Sequence, residues 1–285
     1  TSVADLGCGI GGDALGFAGL GIRVHAVDAD EVTAAIAAYN LAPFGDAVTV
    51  AHGRAEHADL DGVDAVWLDP ARRTSGHGET RRVSADQWSP SLDWVFGLLQ
   101  ERPGGVKLGP AFDRESIPDD VEAQWISADG STIELVLWAG SLAREGIRRA
   151  ALVVRGDDAW ELTAPADAPD AEPRELGAFV HEPDGAVIRA RLIGEVARSL
   201  DAGMLAPGIA YLTSDAALTS PFVSSFRVRE ELPAHSRKLA RALWERNIGT
   251  RESKERGVDI NTAVMLSRRS LRGGKSATCV MASFE

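Results

Sequence analysis

Only two cysteines, Cys8 and Cys279, occur in the 285 residues, and no Cys or His pair has the spacing of a metal-ligand set. That scarcity excludes a disulfide framework, makes a structural metal unexpected and points to a reducing, cytoplasmic setting. Long hydrophobic runs are missing too. Nothing approaches the roughly 18 apolar residues of a membrane span, and no secretory leader is recognisable. Internal repeats are absent. The histidines are few and scattered: His25, His52 and His57 fall on strand-like or loop segments and His77 in an Arg-containing loop, none with helical ligand spacing.

What remains is the composition of an ordinary globular protein, 45% hydrophobic and 25% charged, on a chain long enough for two domains. Its charge is uneven. Residues 227–275 carry 13 Lys and Arg against 6 Asp and Glu, a net +7, so the rest holds −19 of the total −12. An acidic body with a basic appendage is one reading, and Arg-rich solvated helix faces are another.

Short apolar runs alternate with helical patterns over the first half, as successive βα units do. "SVADL", "RVHAVDA", "AVTVAHG", "VDAVWLDP" and "GGVKLGP" predict strands. Helices are expected over 12–20, 31–40 and 91–101. "EAQWISAD", "STIELVLWAG" and "RRAALVVR" then follow with hardly any helix between them. The expected fold is α/β, a Rossmann-like doubly wound, mostly parallel sheet that ends in an antiparallel hairpin. This domain is assigned to residues 1–162. The stretch "TAPADAPDAEPREL" within 163–176 has no apolar periodicity and is expected to be a linker. Residues 177–285 are expected to form a smaller α+β domain, with a helical pattern in "VIRARLIGEVARSLDAG", strands at "SSFRVRE" and "SATCVMASF", a basic helix over 233–247 and a shorter helix over 261–269.

"ADLGCGIGGD", residues 4–13, satisfies G-x-G-x-x-G through Gly7, Gly9 and Gly12, a turn that lets backbone approach a nucleotide without saying which one. A dinucleotide fold puts its pyrophosphate at this loop and helix N-terminus. Here Asp5 precedes the first glycine and Asp13 follows in the first helical turn. At about 4 to 6 Å and an effective dielectric of about 20, one carboxylate repels a phosphate charge by roughly 3 to 4 kcal/mol. The same acids attract a cation such as the sulfonium and ammonium of S-adenosylmethionine. Asp28, 21 residues after Gly7, stands where an acid can hold a ribose diol.

These residues resemble the class I S-adenosylmethionine-dependent methyltransferases. Four motifs carry the likeness, from Val3 to about Pro110: "VADLGCGIGGD", "VHAVDAD", "VAHGRAEH" and "VWLDPARR". The resemblance implies that Asp5, Gly7 and Gly9 bind the methionine end of the cofactor, that Asp28 takes the ribose, and that Asp69 with Pro70 faces the substrate. In the third motif Arg54-Ala55 replaces the acid that the family commonly sets against the adenine amine, which leaves the backbone N–H of Ala55 for that contact.

Enzymes of this family that methylate base amines carry an acid or amide, two prolines and an aromatic in the fourth motif. Asp69-Pro70-Ala71-Arg72 keeps the acid and the first proline and loses the second proline and the aromatic. Arg72 could stack on a base or, with Arg73, bind phosphate; a solvated loop whose arginines pair with the acidic body is the alternative. A uracil C5 mechanism needs a cysteine close to the base, which neither Cys8 nor Cys279 provides. "CGIGGD" with the Asp-Pro motif most resembles the guanine N2 methyltransferases of the trimethylguanosine synthase type.

Residues 177–285, above all "TRESKERGVDIN" and "LRGGKSATCV", resemble the THUMP-like domain that follows the catalytic domain in a bacterial group of these enzymes. That likeness implies RNA as partner, with Arg237, Lys238, Arg241, Lys254, Arg256, Arg268, Arg269 and Lys275 as phosphate contacts. The group also carries a helical region before its catalytic domain, so a chain that opens inside its first strand is expected to be truncated there. The reading is methylation of an RNA base amine; a small-molecule methyltransferase and a non-catalytic RNA-binding protein on the same fold are the alternatives.

Overall fold

The computed structural model describes residues 1–72, 88–232, 236–256 and 273–282. By compactness the chain divides into Thr1–Asp167 and Ala168–Glu285.

The first unit opens with β1 (Ser2–Leu6), α1 (Gly12–Gly19), β2 (Arg23–Asp28), α2 (Glu31–Leu41), β3 (Val48–His52) and β4 (Ala65–Leu68). A short ribbon of β5 (Ala71–Arg72) and β6 (Trp88–Ser89) precedes α3 (Leu92–Glu101) and β7 (Gly104–Leu108). Then come β8 (Glu122–Ala128), β9 (Ser131–Ala139), β10 (Arg149–Arg155) and β11 (Asp158–Ala164). Local chemistry explains the starts of the helices. The Asp30 side chain accepts the Thr33 N–H at 2.8 Å to begin α2, and the Ser91 hydroxyl accepts that of Trp94 at 3.4 Å to begin α3.

Among the described residues these strands build one nine-stranded sheet in the order β11-β10-β8-β9-β7-β4-β1-β2-β3. β9 and β11 run against the other seven. β8 turns into β9 through Asp129 and Gly130, both at positive φ (47° and 82°), the two-residue geometry that matches strand twist. The unit continues past residue 162 for two reasons. β11 pairs with β10 as far as Ala164, and Asp167 accepts from Arg114 at 2.6 Å and Arg149 at 2.8 Å.

The order in which successive strands join the sheet reverses between the parallel neighbours β1 and β4, and in such a sheet ligands bind beyond the carboxyl ends of the strands at this point. Pairing sets Asp5 beside Trp67, Trp67 beside Gly105, and Gly105 beside Trp138. Two residues further on, Asp69 and Lys107 emerge on the same face, because side chains alternate along a strand. Gly105 makes the arrangement possible. A Cβ there would lie 2.7 Å from the Trp67 ring and 3.1 Å from that of Trp138, rings whose centroids are 5.6 Å apart. Trp67 also meets Phe17 of α1 edge-on at 5.6 Å, which seats α1 on this face.

The second unit contains β12 (Phe179–Pro183), α4 (Gly185–Arg189), α5 (Ile193–Ser199), β13 (Gly203–Ala206), β14 (Ile209–Ser214) and β15 (Val223–Arg227). These strands form a sheet in the order β13-β14-β12-β15. The single expected helix over 187–203 is two, because Arg191 adopts φ 59° between them. Residues 168–176 are fastened to this unit rather than hanging between elements: Ala168 N–H donates to Arg191 O, and Arg174 and Met204 N–H groups donate to Met204 O and Glu172 O. His181, fully buried, sits between the hydroxyls of Ser225 and Ser214 at 2.7 and 2.8 Å, a structural place for a histidine. α6 (Ser236–Glu245) packs Leu239 and Leu243 against Leu232, Ile248 and Cys279, next to the parallel pair β16 (Ile248–Arg256) and β17 (Lys275–Ala282). The helix expected over 261–269 lies outside the described residues.

Because Gly105 leaves room for both indoles, Gly105→Ala is expected to destabilise the protein by about 1 to 3 kcal/mol, an overpacking cost. Urea denaturation followed by tryptophan fluorescence checks this; an unchanged midpoint would show that the two rings have space to move apart.

Candidate active site

At the carboxyl ends of β1, β4 and β7 three acids and one ammonium come together. Lys107 Nζ, on β7, lies 2.7 Å from Asp13 Oδ2 and 2.9 Å from Asp69 Oδ2. Trp67 Nε1 donates to the same Asp13 oxygen at 2.9 Å, so Asp13, at the start of α1, is held from two sides. Two charge-assisted bonds hold the ammonium in its charged form, and its pKa is raised although burial opposes this.

Asp5 is the unusual member. It is only 1% exposed, and neither carboxylate oxygen has a hydrogen-bond partner among the described residues. Burial, helped by the negative charges of Asp13 and Asp69 and opposed by Lys107, pushes its pKa up to about 7. The Ala14 amide of α1 pulls it down without reaching hydrogen-bond geometry. An unsatisfied buried carboxyl is costly and marks a place where a partner belongs. Glu134 on β9 belongs to the same electrostatic group. Burial raises its pKa, with Lys107 lowering it and Asp13 and Asp69 adding to the rise.

The glycine loop joins β1 to α1 with Gly7, Gly9 and Gly11 at φ 89°, 56° and 89°. The conformational demand thus falls on Gly11 and not on Gly12, which corrects the spacing read from G-x-G-x-x-G. Gly12 is the first helical residue, and a Cβ there meets nothing, whereas one on Gly11 would lie 2.9 Å from Leu41. Asp28, at the end of β2, accepts the Gly9 N–H at 2.9 Å through one oxygen and the Asp30 N–H at 2.9 Å through the other. It therefore fixes the loop and keeps acceptor capacity on both oxygens. Cys8, buried between these acids, has its pKa pushed up to about 12 by burial and by the charges of Asp5 and Asp28. Such a thiol is no nucleophile.

Ala55 is buried at the first position of a 3₁₀ turn (Ala55–His57) after β3, and Arg54 before it pairs with Glu56 at 2.9 Å. Asp69 and Pro70 follow β4 directly, Asp69 exposed and Pro70 buried. Arg72 lies in β5, of which the backbone is described, and Arg73 falls outside the described residues.

A scan of the chain against family models finds no match. Two relatives from Mycobacterium tuberculosis, of strains CDC 1551 and H37Rv, bear the name uncharacterized S-adenosylmethionine-dependent methyltransferase. Each is 31% identical over 283 residues, which cover 98% of this chain and 76% of the relative. The chain belongs to the S-adenosylmethionine-dependent methyltransferases. A crystal structure of a Porphyromonas gingivalis W83 protein assigned as a methyltransferase shares the fold, with TM-score 0.77 at 20% identity, covering 98% of this chain and 73% of that one.

The methyltransferase has a site suited to its family's cofactor. Asp5 offers a buried carboxyl that lacks a partner to a ligand with a positive charge, and Gly7 and Gly9 take backbone conformations that a side chain would strain. Lys107 brings Asp13 and Asp69 together, Asp5 lies within electrostatic reach of both, and Asp28 stands apart from them on the glycine loop, where it accepts from Gly9. Lys107, Glu134 and Trp67 complete the group and were not among the expected site residues; Lys107 is a lone cation in an otherwise apolar strand, the one signal that could have singled it out.

Burial of Asp5 links the methyltransferase's stability to pH. The folded carboxyl keeps its proton up to about pH 7, while an unfolded aspartate loses it near about pH 3.9. Stability is therefore complete below about pH 4 and falls as the pH rises to about 7, by up to about 1.4 kcal/mol per unit. Asp5→Asn removes this loss and is expected to exceed the wild type by about 2 to 4 kcal/mol at pH 7.5. Urea denaturation at pH 5 and pH 7.5 tests this, since the advantage must grow with pH.

Proposed function

We propose that this methyltransferase transfers the methyl group of S-adenosylmethionine to an amine of an RNA base, with the RNA held by the basic residues of the second unit. The single observation that carries the catalytic half is the set of acids around Lys107, with Asp5 buried and unsatisfied and Asp69 exposed at the strand end. S-adenosylmethionine, when bound, supplies an electrophilic methyl on a positively charged sulfur.

The chain's own groups then have distinct tasks. Asp5, Gly7 and Gly9 receive the methionine end, Asp28 the ribose hydroxyls and the Ala55 N–H the adenine. Asp69 has one oxygen on Lys107 and is nearly half exposed, at 46%, so it can accept a hydrogen bond from an approaching amine. Such a bond aims the nitrogen lone pair at the methyl group, and Pro70 stiffens the backbone behind it. Arg72 and Arg73 are assigned to substrate contact. The departure from the usual aromatic leaves base stacking to another group, and the trimethylguanosine synthase likeness supports an amine as acceptor.

The THUMP-like resemblance supports RNA as the partner. On α6, Lys238 and Arg241 are exposed, Arg241 pairs with Glu245 one turn on, and Trp244 is 67% exposed. An exposed indole three residues from an exposed guanidinium offers a stacking surface beside phosphate contacts. Arg237 shares this helix, Lys254 and Arg256 lie in β16, and Lys275 opens β17; Arg268 and Arg269 lie outside the described residues. Among the described residues no helix is long and apolar enough to cross a membrane.

Incubation with labelled S-adenosylmethionine and RNA from cells lacking the gene is expected to transfer label to a base amine, identified by nucleoside mass spectrometry. Asp69→Ala is expected to lower this transfer by about a hundredfold. Transfer that survives the substitution would remove Asp69 from its role, and transfer only to small molecules would overturn RNA as substrate. Trp244→Ala is expected to weaken RNA binding by about 1 to 3 kcal/mol while leaving the salt dependence unchanged, because stacking releases no counterions.

A further inference from the structure

We propose that Lys107 is a specificity-determining residue: its ammonium sets how strongly the site prefers the cationic methyl donor over the product, whose sulfur is uncharged. The inference rests on the reading above that the acids at the strand ends hold S-adenosylmethionine.

Asp5, Asp13, Asp69 and Glu134 form a mutually repelling group, and among the described residues Lys107 is the cation that offsets them. Its placement is fixed by the sheet. Gly105 pairs with Trp67 and Val106 with Leu68, so the next residues of the two strands, Lys107 and Asp69, leave the sheet side by side. Trp67 fixes the other partner, Asp13, from behind. Lys107 is largely sheltered, with 23% of its side chain exposed, so solvent screens its charge only in part. Asp13 and Asp69 alone outnumber the single charge of Lys107, and Asp5 and Glu134 add to the excess when they ionise, so a second cation is still attracted. With Lys107 gone the attraction would be greater.

Transfer changes the charge of only one ligand atom. The S–CH3 bond breaks as the acceptor nitrogen's lone pair forms the N–CH3 bond. Sulfur keeps the bonding electrons and becomes a neutral thioether, and the nitrogen sheds a proton to solvent. S-adenosylmethionine and S-adenosylhomocysteine thus differ at this site by one methyl and one positive charge. The ratio of their affinities reads the field that Lys107 moderates, whereas damage to the site's shape weakens both together.

Calorimetric titration of the full chain with each of the two ligands tests this. Lys107→Met is expected to raise the preference for S-adenosylmethionine over S-adenosylhomocysteine by about tenfold, the size of one unit charge acting across several Å at partial screening. Lys107→Arg, which keeps the charge, is expected to restore the wild-type ratio. Asp13→Asn, a near-isosteric removal of one acid, is expected to lower the ratio several-fold and serves even where Lys107→Met fails to fold. A ratio unchanged in both Lys107→Met and Asp13→Asn would overturn the proposal while leaving the cofactor assignment intact. Wild-type protein that binds neither ligand would overturn that assignment and this inference with it.

Discussion

Lys107 holds together what would otherwise fly apart. The ends of β1, β4 and β7 deliver Asp5, Asp69 and Lys107 to one edge of the sheet, and α1 adds Asp13. Neighbouring carboxylates repel one another, less where solvent screens them, so a cation inside the group stabilises the fold before any ligand arrives. Two ion pairs below 3 Å supply it. They do not reach Asp5, which stays buried without a partner and holds its proton up to about pH 7. The residual strain lies where we propose that the cofactor binds, the pattern expected when stability is given up for binding.

Packing on one face of the sheet serves this ionic group. Trp67 links the two, since its ring rests on Phe17 and Trp138 while its N–H fixes Asp13. Gly105 is the gap that lets the rings meet. Fold and site are thus coupled through a few residues: a change in the packing of β7 moves Lys107, and with it the two acids that it holds.

Much of the fold was legible because it is written locally. Short apolar runs and the helical patterns between them declare elements through neighbours in the chain, and the structure adds the caps Asp30 and Ser91 and the Asp129-Gly130 turn that bound them. Elements that carry no hydrophobic pattern of their own were not legible. β11, "DAWELTA", is mostly exposed and without a buried stripe, and it becomes a strand because β10 offers an edge. β16, "IGTRESKER", has no apolar alternation either and exists through its pairing with β17. The places of Asp5, Asp28 and Asp69 in the fold could be read because each stands at or next to the end of a recognisable strand. Lys107 could not, since its partners are 94 and 38 residues away in sequence, and only the β4–β7 register brings them together. Gly11 escaped notice for a different reason: the G-x-G-x-x-G pattern directs attention to Gly12, while backbone geometry makes its demand one residue earlier.

The central claim is that a buried acid without a partner receives the positively charged end of the methyl donor. Proton exchange on binding tests it most directly. S-adenosylmethionine titrated calorimetrically at pH 6.5 in buffers of different ionisation enthalpy reports the protons released per molecule bound. If Asp5 gives up its proton to hold the cation, between about half a proton and one proton is released, and Asp5→Asn abolishes the release. Binding with no proton release, or release undiminished in Asp5→Asn, would contradict the account.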